Sequence, residues 1–479
     1  MVVLKFGGSS VATASALTRV RGIVTRERRP RVVVASALAG VTDRLVAAAA
    51  RAGSRDLDAA LAALGDLRAR HSSLAGVVRH QGTRDALLGQ LDRGWSDVET
   101  LLRAAALLGT CVPSAADAIV AHGELASSRL VAAFLRDGGL QAGWVDARTV
   151  VATDTRHQHA TPLVDETAAR AARVVKPLLD RGVIPVLGGF IGATPEGTTT
   201  TLGRGGSDYS ASLIGACLKA EEIQIWTDVD GMLTADPRVF GRAVPVDRLS
   251  FSEASALAHF GAKVLHPLTV VPAIEADIPV RILNANHATR RGTLVTGRAV
   301  CRAASLAGIA CRSDVCVLEV RLPSDASRPA SLADVFGACA RAGVAVHLTA
   351  VSDVSVSIAI DEGPGADIVA AQIAPGLEVR RRGELALMAV VGDRLKHDPC
   401  EGATVFSALA GIPLHLFSRT PGSGHVAVVV DRSNLACATA TLHERFFERC
   451  DDAGAAGDQG GAVDQFEVAA ASARQEISA

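Results

Sequence analysis

Apolar positions in the first three fifths of the chain alternate between two textures. Short unbroken runs at 2–6 (VVLKF), 31–37 (RVVVASA), 183–190 (VIPVLGGF), 222–227 (EIQIWT) and 279–283 have the length and branching of strands buried on both faces. Between them apolar residues recur at helical spacing. Val11, Leu17, Val20 and Val24 mark one helix, the stretch 118–135 another, and Leu213, Ile214, Cys217 and Leu218 a third over 209–219. The alanine- and leucine-rich stretch 45–107 keeps no sustained heptad, so it predicts a helical subdomain rather than a coiled coil. Ser252 starts a further helix running towards 261. Strands alternating with helices predict a mostly parallel sheet covered on both faces, with 279–283 as its last strand.

Past about residue 300 the texture changes. Residues 314–322 (DVCVLEVRL) alternate as a strand. The helix at 331–341 places Leu332, Val335, Phe336 and Cys339 on one face, and strands follow at 344–349 and 354–360. A second pass has strands at 385–391, 414–417 and 425–430, a helix around 403–409 and a closing helix over 434–447. Two β-helix-β-β-helix units of similar length make an internal repeat, suited to ligand binding and pairing. Gly, Ala, Asp and Gln dominate thereafter, so 449–479 is expected to be a disordered tail.

Composition narrows the function. Apolar residues are 49% of the 479 and charged residues 21%, which supports two or three filled cores and excludes a disordered polyelectrolyte. A net charge of −1 gives no basic face for nucleic acid, and a single tyrosine among 3% aromatics gives no base-stacking platform. The nine cysteines are odd in number, scattered and without a CxxC pair, the pattern of reduced thiols in a cytosol rather than of a zinc site. The chain opens directly on a strand, without a basic, cleavable leader, and no uninterrupted apolar run matches a bilayer span. A cytoplasmic protein with no membrane and no nucleic acid partner is expected.

Candidate chemistry lies at strand ends. Gly203-Arg204-Gly205-Gly206-Ser207-Asp208 follows a threonine run and opens a helix. Its glycines allow close backbone approach, and the helix start offers amides to an anion. Arg204 presents a planar fork to a carboxylate or phosphate, and Asp208 can cap the helix or face a cation. Lys5 with Gly7-Gly8-Ser9-Ser10 forms strand, turn and helix, an arrangement that cradles phosphate yet is neither a Walker loop nor GxGxxG. Lys5 reads equally as a snorkelling strand end and as a cation aimed at phosphates. Glu124, in His122-Gly123-Glu124-Leu125, interrupts an apolar helical pattern, where a lone glutamate is most often solvated. Lys5 with its glycines, Ser36, Gly188-Gly189 and Asp228 all fall at or just after strand ends, where ligands sit in such folds, which argues for one shared site.

The stretches KFGGSSVA (5–12), SALAGVT (36–42), HGEL (122–125), GGFIG (188–192), TTTLGRGGSDYSA (199–211), IWTDVDG (225–231), DPRV (236–239) and FGAKVLHP (260–267) are specific in order and combination. Over 1–447 the chain resembles the aspartate kinases of the amino-acid kinase family, nearest to the lysine-sensitive, monofunctional type. The resemblance implies an amino-acid-kinase fold over 1–297 and two ferredoxin-like ACT domains, 305–380 and 381–448, interleaved with the second inserted in the first. It implies transfer of the ATP γ-phosphate to the side-chain carboxylate of L-aspartate, giving 4-phospho-L-aspartate on the way to lysine, threonine and methionine.

Carried over position by position, Lys5, Gly7, Gly8 and Ser9 hold ATP phosphates. Thr227, Asp228, Arg238 and Lys263 contact the nucleotide. Arg204 pairs with the substrate α-carboxylate and Glu124 with its ammonium. Ser36 and Thr42 orient the side-chain carboxylate, with Ser207 also on the substrate side. Asp208 organises Lys5 and helps hold Mg²⁺. An amino-acid effector is implied at Leu332, His347, Ser352 and Asp353, and a homodimer, or a tetramer built from it, through ACT edges. Four departures stand out. Leu233 replaces a usual tyrosine near the nucleotide, and Leu38 sits in the substrate loop, where it is either crowding or harmless. His347 and Ser331 replace an aspartate and an aromatic residue of lysine-sensitive relatives, so lysine feedback is expected to be weakened or lost. Two rivals are another acceptor of the same family (glutamate, acetylglutamate, carbamate or UMP) and a nonenzymatic ACT sensor. HGEL and the paired ACT units disfavour the first, and intact Lys5, Glu124, Arg204 and Asp208 the second.

Overall fold

The structure is a computed structural model that describes residues 1–203, 205–262, 267–297, 306–323, 327–373, 376–420 and 422–448. Arg204, Lys263 and the tail 449–479 lie outside the described residues.

The first part runs β1 (Val2–Phe6), α1 (Gly8–Val11), α2 (Ala14–Arg26), β2 (Arg31–Ala35), α3 (Val41–Gly53), α4 (Leu57–Ala75), α5 (Gln81–Leu108), α6 (Pro113–Asp137), β3 (Ala142–Trp144), α7 (Val164–Val174), α8 (Lys176–Asp180), β4 (Ile184–Gly188), β5 (Ile191–Ala193), β6 (Thr199–Thr201), α9 (Gly206–Cys217), β7 (Glu222–Thr227), β8 (Arg248–Ser250), α10 (Phe251–His259), α11 (Val271–Glu275), β9 (Val280–Asn284) and β10 (Thr293–Thr296). Eight strands form one sheet in the order β3-β4-β2-β1-β7-β9-β10-β8, and every neighbour pair from β3 to β9 is parallel. The reading of 279–283 as the last strand is corrected, because β10 returns antiparallel to β9 and carries β8 at the edge. Both added strands are short and partly exposed, so neither leaves an unbroken apolar run.

β1 is buried at every residue because parallel neighbours flank it and helices cover both faces. Strand alternation divides its side chains. Val2, Leu4 and Phe6 join the core built with α3–α6, including Leu45, Leu91, Trp95 and Ile119. Val3 joins the opposite core with Ile214 of α9, Ile225 and Leu257. Lys5 therefore leaves the sheet on the α9 side. The stretch 45–107 folds as the expected helical subdomain, α3 to α5. Helix α6 is long and apolar enough to suit a bilayer by length and composition, but 89% of that window is buried inside the protein.

The second part comprises β11 (Gly308–Arg321), α12 (Arg328–Ala342), β12 (Val346–Val351), β13 (Ser355–Asp361), α13 (Pro364–Gln372), β14 (Val379–Val391), α14 (Pro399–Ala408), β15 (Leu414–Ser418), β16 (His425–Asp431) and α15 (Leu435–His443). Its six-stranded sheet has the order β12-β13-β11-β14-β16-β15, and it folds over so that its edge strands β12 and β15 meet. Two ferredoxin-like units share the long strands β11 and β14. Cys316, Leu318 and Val320 of β11 pack with α12 and α13, whereas Ile309 and Cys311 of the same strand pack with α14 and α15. The order of insertion is thus the reverse of the one implied by resemblance: the first unit is inserted in the second, whose core takes the start of β11. On α12 the buried face is Ser331, Val335, Ala338 and Cys339, while Phe336 is exposed, which corrects its assignment to that face.

Candidate active site

Backbone hydrogen bonds draw the strand ends into one floor. The Gly7 N–H donates to the Trp226 carbonyl (3.0 Å), the Ser36 N–H to Phe6 (3.1 Å), the Gly189 N–H to Ala35 (2.9 Å) and the Ala39 N–H to Gly8 (3.2 Å). Glycine is required where these turns touch. A Cβ on Gly8 would stand 2.7 Å from the Ala37 oxygen, and one on Gly189 would stand 2.7 Å from the Ser207 Cα. Both neighbours are backbone atoms and cannot swing aside.

Lys5 Nζ lies 2.6 Å from Asp208 Oδ1, with 10% and 17% of the two side chains exposed. Lys5 is no snorkelling strand end: it crosses the floor to the first turn of α9. The N-cap of that helix is Gly205, in the left-handed region at φ 74°, and no side chain caps it. Asp208 faces the cation instead of capping. Lys5 meets one side of Oδ1, and a carboxylate oxygen has two lone pairs, so Oδ1 keeps capacity for another ligand.

The HGEL stretch sends three successive residues of α6 in three directions. His122 packs edge-on against Trp95 (4.3 Å between centroids), and burial pushes its imidazole down to about 3, so it is a neutral wedge in the helical subdomain. Gly123 lets α6 lie against Ala37 and Val41. Glu124, 3% exposed, points the other way, and its Oε1 accepts from the Ala37 N–H at 3.2 Å. Its Oε2 is buried and has no partner among the described residues. Burial pushes its carboxyl up to about 8, against the opposing pull of the Ala37 amide and Lys5. The solvated reading of Glu124 is therefore corrected: it is a buried carboxyl group with one oxygen unpartnered among the described residues.

Ser36 and Ser207 are half-buried at this floor, Thr42 is half-buried in the first turn of α3, and Ser9 is exposed in α1. Ser36 is fixed at both backbone groups, since its carbonyl accepts from Ser127 Oγ at 2.7 Å. Leu38 is 1% exposed and turned into the helical core, so it does not crowd the floor. Thr227 ends β7 and donates to Asp228 Oδ1 at 3.2 Å. Arg238 is mostly exposed and held by a two-pronged pair with Asp236, at 3.0 and 2.6 Å, which raises its guanidinium further. Leu233 is half-buried next to the buried Met232. Ser127 and Asp117 were not found from the sequence. Ser127 lies one turn after Glu124, and the only available signal was a polar residue on the Glu124 face of α6.

Residues 1–284 match the amino acid kinase family. The lysine-sensitive aspartokinase 3 of Escherichia coli (strain K12) is 34% identical over 456 residues, covering 94% of this chain and 99% of that protein. The chain belongs to the aspartokinases. Two solved structures of E. coli aspartokinase III, each 33% identical and covering 93% of this chain, resemble this aspartokinase along its length. The R-state complex with aspartate and ADP superposes with a TM-score of 0.79, and the T-state complex with lysine and aspartate with 0.82.

In this aspartokinase the positions expected to hold an effector lie on the first ferredoxin-like unit. His347, 5% exposed, sits at a bulge of β12 and pairs through Nε2 with Asp361 Oδ1 at 2.8 Å. Arg312 approaches the same carboxylate (3.4 Å) and also donates to the His259 carbonyl of α10 (3.2 Å). Burial, with Arg312 next, holds the His347 imidazole below its ordinary value. Leu332 is half-buried on α12, Ser352 Oγ closes a turn with Ser355, and Asp353 is exposed within 3.8 Å of Arg328. The second unit repeats the arrangement: His415, at a bulge of β15, pairs with Asp431 at 2.8 Å.

Proposed function

We propose that this aspartokinase binds L-aspartate between Glu124 and the turn 203–208, and ATP across Lys5 to Ser9. The observation that carries the reading is the buried Glu124 carboxyl group, with one oxygen unpartnered among the described residues, on the same floor as the Lys5–Asp208 pair. An amino acid's ammonium satisfies the open oxygen, and its α-carboxylate takes Arg204. Ser36, Thr42 and Ser207 direct the side-chain carboxylate towards the γ-phosphate. With a reference pKa of about 3.9 that carboxylate is already ionised, so no general base is needed. Its oxygen bonds to the γ-phosphorus, the bond to the β-phosphate oxygen breaks, and ADP leaves with the electron pair. No proton moves.

The work left to the protein is positioning and charge neutralisation. Lys5 and the amides of Gly7 to Ser9 meet the phosphates, and Thr227, Asp228, Arg238 and Lys263 hold the nucleotide. Mg²⁺ fits this set, since it takes phosphate oxygens, water and one or two carboxylates, and Asp208 keeps lone-pair capacity beside Lys5. When bound it would supply positive charge against that of the phosphates. Trapping the acyl phosphate with hydroxylamine, using ATP, Mg²⁺ and aspartate, tests the reading. A hydroxamate signal that Lys5→Ala abolishes is expected. No signal with aspartate sinks it, and a hydroxamate from glutamate or acetylglutamate instead, or ADP release dependent on carbamate or UMP, would assign a different acceptor.

The paired ferredoxin-like units carry effector control in the same reading, with lysine a weak effector because His347 supplies no fixed negative charge. We also propose a cytoplasmic homodimer formed through these units, which light scattering on the purified chain would test.

A further inference from the structure

Helix α6 places a second carboxylate two turns before Glu124, on the same face. Asp117 is 1% exposed, and unlike Glu124 it is fully engaged. Its Oδ1 accepts from Thr201 Oγ1 at 2.5 Å, both oxygens accept the Gln158 N–H at 3.1 and 3.0 Å, and Oδ2 contacts His157 Nδ1 at 2.7 Å. These partners come from two separate pieces of chain. Thr201 ends β6 and leads into the turn 203–208. Gln158, in the left-handed region at φ 70°, lies in a loop after Thr153 that runs alongside β6, where the Ala160 N–H donates to the Thr201 carbonyl at 2.9 Å. The loop packs onto the turn itself: a Cβ on Gly203 would meet His159 Nδ1 at 2.7 Å.

We propose that Asp117 is a positioning residue for the acceptor pocket, clamping the loop and the end of β6 so that the chain enters the turn 203–208 in a single register. This rests on the reading that the acceptor binds between Glu124 and that turn. Charge-assisted hydrogen bonds to a buried carboxylate are strong and directional, so the clamp fixes where the turn begins. The clamp holds the chain at Thr201, on the entry side of the turn, whereas Asp208 at its far end is paired with Lys5. Its loss is therefore felt by the acceptor more than by the nucleotide.

The test is steady-state kinetics of Asp117→Asn, Thr201→Val and the double variant, with thermal unfolding of each. Asp117→Asn is expected to raise the aspartate KM by about tenfold or more while the ATP KM and kcat stay within about threefold, the mark of lost acceptor binding rather than lost chemistry. The double variant is expected to be no worse than the poorer single one, because both remove the same clamp. Should Asp117→Asn not fold, His157→Ala and Thr201→Val carry the test alone, with the same aspartate-only rise. A purely structural role would lower the unfolding temperature and kcat together and leave both KM values unmoved, and that result overturns the proposal. So do equal rises in both KM values. Failure of the wild type to phosphorylate aspartate would sink the acceptor reading itself; normal wild-type activity with an unshifted variant sinks only the clamp.

Discussion

Glu124 sets the pH behaviour of the acceptor site. Burial pushes its carboxyl up to about 8, well above the ordinary carboxylate range. The neutral form is therefore favoured in the folded protein, and the stability it gives is lost as pH rises from the unfolded value to about 8. Binding an ammonium needs the charged form, so below about pH 8 acceptor binding must release a proton. The aspartate KM is expected to fall as pH rises from 6 towards 8, by up to about tenfold per unit, and Glu124→Gln to flatten the profile at a raised KM. A flat wild-type profile would remove the ammonium from Glu124. A second expectation concerns space. In Gly8→Ala the new methyl stands 2.7 Å from the Ala37 oxygen, so the phosphate turn must shift, and a fall of about 10²-fold in kcat/KM is expected with folding retained. Activity near wild type would show that the turn has slack.

At the scale of elements, strand runs and helical periodicity revealed β1, β2, β4, β7 and the helical subdomain, because long buried elements write their period into the sequence. Alternation along β1 then decides which way Lys5 points, a fact that no local motif contains. Asp117 was not legible: one carboxylate in an apolar helix carries no period, and its partners Gln158 and Thr201 are far along the chain. The insertion of one ferredoxin-like unit in the other was hidden for a related reason. β11 is a single unbroken strand, and only its packing shows that its start and its end serve different cores. The helical subdomain also makes a prediction that leaves chemistry alone. A methyl on Gly94 would stand 2.1 Å from His122 Cε1, wedged against Trp95. Gly94→Ala is expected to cost about 1–3 kcal/mol in denaturant unfolding, from overpacking, with the aspartate KM unchanged. A rise in that KM would mean that strain at His122 reaches Glu124 along α6.

In the whole molecule, the regulatory half is bonded to the catalytic half through backbone and side chains alike. The Ile309 N–H donates to the Thr234 carbonyl at 2.7 Å, Thr234 Oγ1 meets His443 Nε2 at 2.8 Å, and the Asp393 N–H donates to Glu253 at 3.0 Å. Glu253 also closes the capping box of α10, so that helix is tied to the second ferredoxin-like unit at its start. Near its other end, Arg312 reaches the His259 carbonyl while facing Asp361 and His347. A change of charge at His347 is thus one residue removed from a catalytic-domain helix. In the native chain the Asp361 carboxylate is shared between an imidazole and a guanidinium, which leaves little negative charge for an effector's ammonium. Lysine is expected to inhibit the wild type only weakly. His347→Asp removes the imidazole from Asp361 and sets two carboxylates together, which favours a bound cation. The lysine concentration for half inhibition is then expected to fall by about tenfold or more, equivalent to roughly 1.4 kcal/mol of added coupling. Titrating both proteins with lysine at fixed aspartate decides the matter: strong inhibition of the wild type at low lysine, or no shift in the variant, would place effector control elsewhere than at His347.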